Sequence, residues 1–206
     1  MPARTLLKWP DKRLKLTSSN VLKSENYNQL IEDMRDTMIA NFGLGIAAPQ
    51  VGILKNIVVV DYGKLPSFDE DPNFKGLVVM INPEFISASK KKILSLESCL
   101  SIPGLAEQVE RNKDLELLYL NSEFEKIEIS ISGAQSCIVQ HECDHLVGKL
   151  FINRMSSVRY RRFLSKKKKE FRAKKRESIN TEEKTKAQIL KKRKRIRDAR
   201  KKRSKK

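Results

Sequence analysis

The chain has 206 residues, enough for one compact domain and a tail. Its three cysteines are an odd number, MPARTLLKWPDKRLK lacks the apolar core of a secretory signal, and no apolar run reaches membrane-span length, which argues against a disulfide scaffold or a membrane protein and for a soluble, cytoplasmic one. Residues 159–206 hold 25 Lys+Arg and 5 Asp+Glu of the +18 net charge, while the other 158 residues hold 18 and 20, so the body itself is excluded as a strong electrostatic trap for nucleic acid.

Residues 1–158 read as one mixed domain and 159–206 as a Lys/Arg-rich tail. Asn26 to Ala40 carries Leu30, Ile31, Met34, Met38 and Ile39 at helical spacing. GLGIAAPQVG, from Gly43 to Gly52, reads as a Gly-rich turn. Ile57 to Val60 and Leu77 to Ile81 are β-branched runs that predict buried strands, with a Pro- and Gly-containing loop from Asp61 to Gly76 between them. Cys99 lies in ESCLSIPG, read as a short polar turn. Leu115 to Leu120 predicts another strand, and Lys126 to Ser132 alternates Ile127, Ile129 and Ile131 against Glu128 and Ser130. Ser132 with Gln135 fits a capping box that opens a helix running to about Val147, closed by Gly148. Strands followed by a helix predict an α+β fold, with antiparallel or mixed sheets around a central helix.

That helix carries the chemistry. His141 and His145 are the only histidines, and a spacing of four puts both on one helix face within reach of one metal ion. Glu142 follows the first, the place from which an HExxH-type Glu takes a proton from metal-activated water. A catalytic site also needs a third protein ligand, and no Glu follows until Glu170. Cys99 would supply a soft anionic thiolate suited to Zn or Fe(II), and Cys137, one turn before His141, is its rival. Cys143 is off the histidine face.

GLGIAAPQ (43–50), ESCLS (97–101) and QHECDH (140–145) together resemble the peptide deformylases, over about residues 5–155. The resemblance implies removal of the formyl group from N-formylmethionyl nascent peptides by a metal-dependent enzyme, and a monomer is expected. It implies Cys99, His141 and His145 as ligands, with Fe(II) the usual ion and Zn or Ni able to replace it. Glu142 matches the general acid/base, and Gln50 and the Leu100 N–H match the oxyanion donors. Gly45 matches the backbone that pairs with the peptide, and a flexible Gly43/Gly45 segment permits such an approach. Leu44, Cys137 and Ile138 are expected to line the methionine pocket, and Glu97 with Arg111 matches a supporting charged pair. Two positions depart from the family: Ser98 stands where Gly is usual and Ala106 where an Arg is common. Asp144 is expected to support the site without ligating metal.

The tail has few apolar residues for its length, so it reads as disordered or partly helical. Its charge, and the ribosome docking of bacterial members, imply a ribosomal RNA partner. Two rival readings are a different metal-dependent amidase or peptidase, and an RNA-binding protein that keeps the body as a scaffold.

Overall fold

Helix α1 spans Asn28–Ala40 and buries Leu30, Ile31, Met34 and Met38, while Ile39 lies on its exposed side. The computed structural model describes residues 4–64, 76–173, 175–177 and 189, in two compact units, Met1–Met155 and Ser156–Lys206. The first unit holds a five-stranded sheet of β1 (Gly45–Ala47), β2 (Ile57–Asp61), β3 (Leu77–Ala88), β6 (Asp114–Leu120) and β7 (Lys126–Ser132), in the order β1-β2-β3-β6-β7. A separate hairpin pairs β4 (Lys92–Cys99) with β5 (Ile102–Asn112). Every strand pairing is antiparallel, so the fold is α+β with antiparallel sheets.

Helix α2, Ala134–Leu146, packs on β1, β2 and β7 of the large sheet and on β5 of the hairpin. The run Ile57 to Val60 is apolar throughout because both faces of β2 are covered. Val58 and Val60 join the cluster that includes Val139 and Leu146 of α2, while Ile57 and Val59 join the one built on Met34 and Met38 of α1. Between two cores, Ile57 to Val60 have no solvent-facing position to offer.

Two local expectations need correction. The segment from Gly43 to Gly52 is not only a turn: it holds β1 and a 3-10 turn, Ala48–Val51. Ser132 does not cap α2. It is still the last residue of β7, opposite Asp114, and its hydroxyl donates to Asp114 Oδ1 at 2.6 Å; the N-cap is Gly133, at φ 62°, with no side-chain cap bond. Gly148, at φ 68°, does follow the helix end in the left-handed form.

The largest difference is the β4–β5 hairpin, where only a turn was expected. On β4 the pattern is inverted: Leu94 and Leu96 are 65% and 72% exposed, whereas Glu97 and Cys99 point inward and are buried. Hydrophobic alternation reports which side faces an apolar core, and this strand faces something else.

Of the loop expected from Asp61 to Gly76, residues 65–75 lie outside the described residues. In the second unit residues 157–173 are helical, with the Tyr160 and Phe163 rings 6.5 Å apart; the tail readings that concern residues 178–188 and 190–206 fall outside the described residues. Among the described residues no helix is long and apolar enough to cross a membrane.

Candidate metal centre and active site

The spacing of four on α2 brings the His141 and His145 rings to 5.2 Å between centroids, with 72° between their planes. Both residues are buried. Cys99, the last residue of β4, reaches them from the hairpin turn, with Sγ 3.3 Å from His145 Nε2. The ligating atoms of the three residues lie within 4.8 Å of one another. Burial pushes the Cys99 thiol up, but the His145 and His141 imidazoles outweigh it and hold the group well below its ordinary range.

These residues fit a divalent transition metal. One thiolate and two imidazoles form the kind of N/S donor set that catalytic sites use with one position left open. Among the described residues His145 Nδ1 is buried without a hydrogen-bond partner, so a satisfied core histidine is not the explanation of its burial. Cys137 is not part of the donor group. Burial pushes its thiol up, with Ser95 pulling the other way.

Glu97, two residues before Cys99, ties the hairpin to the helix. Its Oε2 accepts from His141 Nδ1 at 2.8 Å, which leaves the opposite ring nitrogen for ligation. Arg111 of β5 clasps the same carboxylate in a fork, Nε to Oε1 at 2.6 Å and Nη2 to Oε2 at 2.8 Å. The Arg111 side chain has no exposure at all, so this is a buried pair and not a surface one. Its third contact, Nη1 to Asp144 Oδ2 at 2.6 Å, returns to α2, and Arg154 also grips Asp144. Burial pushes the Glu97 and Asp144 carboxyls up, but Arg111 and His141 at the one, and Arg154 and Arg111 at the other, hold both below the usual range.

Glu142 is 5% exposed, and its Oε2 has no hydrogen-bond partner among the described residues. Burial lifts its carboxyl to about 7, against the pull of the two histidines. Gly45 explains how the carboxylate fits. A Cβ at that position would sit 2.6 Å from Glu142 Oε1 and 2.9 Å from its Cδ, so only glycine leaves room for Glu142 where it is.

Gln50 is held by its own turn. Its Oε1 accepts from the Ala47 N–H at 2.8 Å, which aims its amide nitrogen at Ser101 Oγ (3.3 Å) and Cys99 Sγ (3.6 Å). An N-terminal strap fixes this side: the Leu7 N–H donates to Gln50 O, Lys8 Nζ to Leu100 O and the Trp9 N–H to Ser101 O. A cleft of about 610 Å³ opens over the site, lined by Leu44, Gly45, Glu97, Cys99, Leu100, Cys137, Ile138, His141 and Glu142 among others. Gln50 and His145 lie behind that lining, each 1% exposed. Arg154, Ser101 and the strap carry no local sequence signal, because their partners lie 10 to 92 residues away.

A model of the polypeptide deformylase family matches residues 3–161. The chain belongs to the peptide deformylase family. Peptide deformylases are metalloenzymes that remove the N-formyl group from nascent peptides, and membership makes this chain an enzyme of that class. It is 38% identical over 154 residues to peptide deformylase of Buchnera aphidicola subsp. Cinara cedri, covering 74% of this chain and 98% of the relative. It is 36% identical over 174 residues to peptide deformylase 1 of Burkholderia multivorans, covering 84% and 92%. The crystal structure of the Ehrlichia chaffeensis deformylase superposes with a TM-score of 0.75 at 33% identity, covering 84% of this chain and 99% of that one. A Met-Ala-Ser-bound deformylase from Acinetobacter baumannii gives 0.67 at 36% identity, covering 75% and 99%.

Against the family pattern, Ser98 is unstrained: its φ is not positive, so a side chain is tolerated there. Ala106 sits opposite Ser98 on β5 and is exposed.

Proposed function

We propose that this peptide deformylase hydrolyses the N-terminal formyl group of N-formylmethionyl nascent peptides at the Cys99, His141 and His145 centre. The observation that carries the reading is convergence. Three ligating atoms, the lifted carboxyl of Glu142 and the amide of Gln50 come from three separate elements, β4, α2 and the Ala48–Val51 turn, to one point beneath the cleft.

A divalent ion held by the three residues would polarise the formyl carbonyl as a Lewis acid and lower the pKa of a coordinated water. Everything else is done by the chain. Glu142, with a pKa near neutrality, takes the proton of the attacking water and returns it to the departing amine. Gln50 Nε2 and the Leu100 N–H donate to the tetrahedral oxyanion; a neutral amide does so without titrating. Leu44, Cys137 and Ile138 surround the methionine side chain, and the Gly45 strand edge pairs with the peptide backbone. Glu97 orients His141. The Acinetobacter deformylase solved with Met-Ala-Ser supports a peptide beginning with Met in this cleft. Fe(II) is the ion we assign, with Zn or Ni able to substitute, since a thiolate and two imidazoles suit all three.

The assay is hydrolysis of formyl-Met-Ala, acetyl-Met-Ala and unblocked Met-Ala by anaerobically purified protein whose metal has been analysed. A strong preference for formyl is expected; equal turnover of the acetyl substrate would make the enzyme a general amidase. Glu142→Ala should retain metal and lose nearly all turnover.

For residues 159–206 we propose a docking role on ribosomal RNA, acting with a monomeric catalytic domain of residues 1–158. Arg161, Arg162, Lys166 and Lys169 line one shallow groove of the 157–173 helix, which supports phosphate contacts from one face. Deleting residues 159–206 should leave formyl-Met-Ala hydrolysis intact and abolish salt-sensitive co-sedimentation with ribosomes. Equal sedimentation of the truncated protein would refute the docking role.

A further inference from the structure

We infer that Arg154 is a positioning residue for the metal centre, acting on His141 through Asp144, Arg111 and Glu97. The inference rests on the assignment of His141 as a ligand. Four hydrogen-bonded links join an arginine whose side chain is 38% exposed to a buried imidazole. Arg154 Nε meets Asp144 Oδ2 and its Nη2 meets Oδ1, both at 2.6 Å, in the planar fork that only a guanidinium makes. Arg111 Nη1 meets Oδ2 at 2.6 Å, and its other two contacts go to Glu97.

The counting of charges gives Arg154 its role. Two buried carboxylates, Asp144 and Glu97, face two guanidiniums, and only Arg111 reaches both carboxylates. With Arg154 present, Asp144 has a cation of its own and Arg111 can commit its Nε and Nη2 to Glu97. Without it, Asp144 Oδ1 loses its donor in a setting only 8% exposed, and one guanidinium must serve two carboxylates. Arg111 is then drawn toward Asp144 and away from Glu97. Glu97 Oε2 is shared between Arg111 Nη2 and His141 Nδ1, so any turn of that carboxylate moves the group that sets the His141 ring. Asp144 lies on α2 three residues after His141 and one before His145, so it also bears on the ligands through their own helix.

The test is titration of the metal-free full-length protein with Co(II), read by its visible ligand-field and thiolate charge-transfer bands, with a chelator in competition. Direct orienting partners of a ligand typically contribute tenfold to a hundredfold in metal affinity, so Arg154→Ala, three links further out, should weaken Co(II) by about threefold to tenfold and shift the bands. Arg154→Lys keeps the charge without the fork and should fall between wild type and Arg154→Ala. Arg13→Ala, which breaks an exposed pair with Asp11, should change neither affinity nor spectrum. Thermal unfolding of the metal-free proteins separates positioning from scaffolding. If Arg154→Ala lowers Tm but binds Co(II) with wild-type affinity and spectrum, Arg154 only anchors its turn and the inference is overturned. If the wild-type protein gives no thiolate–cobalt band, the ligand assignment itself fails and takes the inference with it.

Discussion

β2 in the large sheet buries Ile57, Val58, Val59 and Val60 completely, with no polar side chain among them. β4 in the hairpin turns Leu94 and Leu96 outward and directs Glu97 and Cys99 inward, where Arg111 of β5 meets them. Burying an aliphatic side chain contributes about 1.5–3 kcal/mol, depends little on direction and tolerates small shifts. A buried ion pair contributes little net, because desolvation offsets most of the attraction, but it demands one geometry. The large sheet thus supplies stability and the hairpin supplies orientation, and α2 packs on both.

Breaking either side should therefore give different failures. The largest effect is expected from Glu97→Ala, which strips Arg111 and His141 of their shared carboxylate: about 3–5 kcal/mol of stability for an orphaned buried charge, with metal affinity falling at least tenfold. Urea unfolding and Co(II) titration measure the two losses. Leu117→Ala, in the core of the large sheet, should cost about 2–5 kcal/mol in unfolding while leaving metal affinity unchanged. Coupled loss of both in Leu117→Ala would show that the division of labour is wrong. Gly45→Ala should lower kcat about a hundredfold, or about 2.7 kcal/mol in the barrier, because the new methyl displaces the Glu142 carboxylate and not the metal. Steady-state kinetics beside metal analysis decides it, and normal kcat would mean that Glu142 can relocate freely. Leu94→Ser, on the outward face of β4, should shift stability by less than about 0.5 kcal/mol, which would be impossible if that face were core.

The smallest effect is a pH dependence far from the site. Lys55 above all, then the Leu22 N–H and Tyr27, hold Glu25 at about 2 against an ordinary 4.5. A depressed carboxyl contributes stability that is complete above the unfolded value and fades as pH falls from about 4.5 toward about 2. Glu25→Gln should therefore lower Tm slightly at pH 7 and not at pH 2. An equal difference at both pH values would assign the effect to packing.

The same contrast decides what could be read from the residues alone. β7 was legible at its bounds, since Ile127, Ile129 and Ile131 alternate over a half-buried strand. β2 was legible because a run covered on both faces is apolar throughout. β4 was not, because its buried positions, Glu97 and Cys99, face a charged centre while Leu94 and Leu96 face solvent. Ser132 misled for a different reason: its hydroxyl suits a helix cap and a cross-strand bond equally, and the partner that decides between them, Asp114, is 18 residues away. The helix His141 to His145 announced its chemistry through spacing. Its supports, Arg111 and Arg154, are ordinary arginines until the fold brings them to one carboxylate.

The strap of Leu7, Lys8 and Trp9 also has a meaning in time. These residues are synthesised before their partners, Gln50, Leu100 and Ser101. The strap stays without a complete berth until Ser101 has been made, and the two histidines come some forty residues later still. Contacts that span so many residues wait on the closure of a wide loop. Gln50 and Cys99 are thus made well before His141 and His145, the side chains with which they share the site.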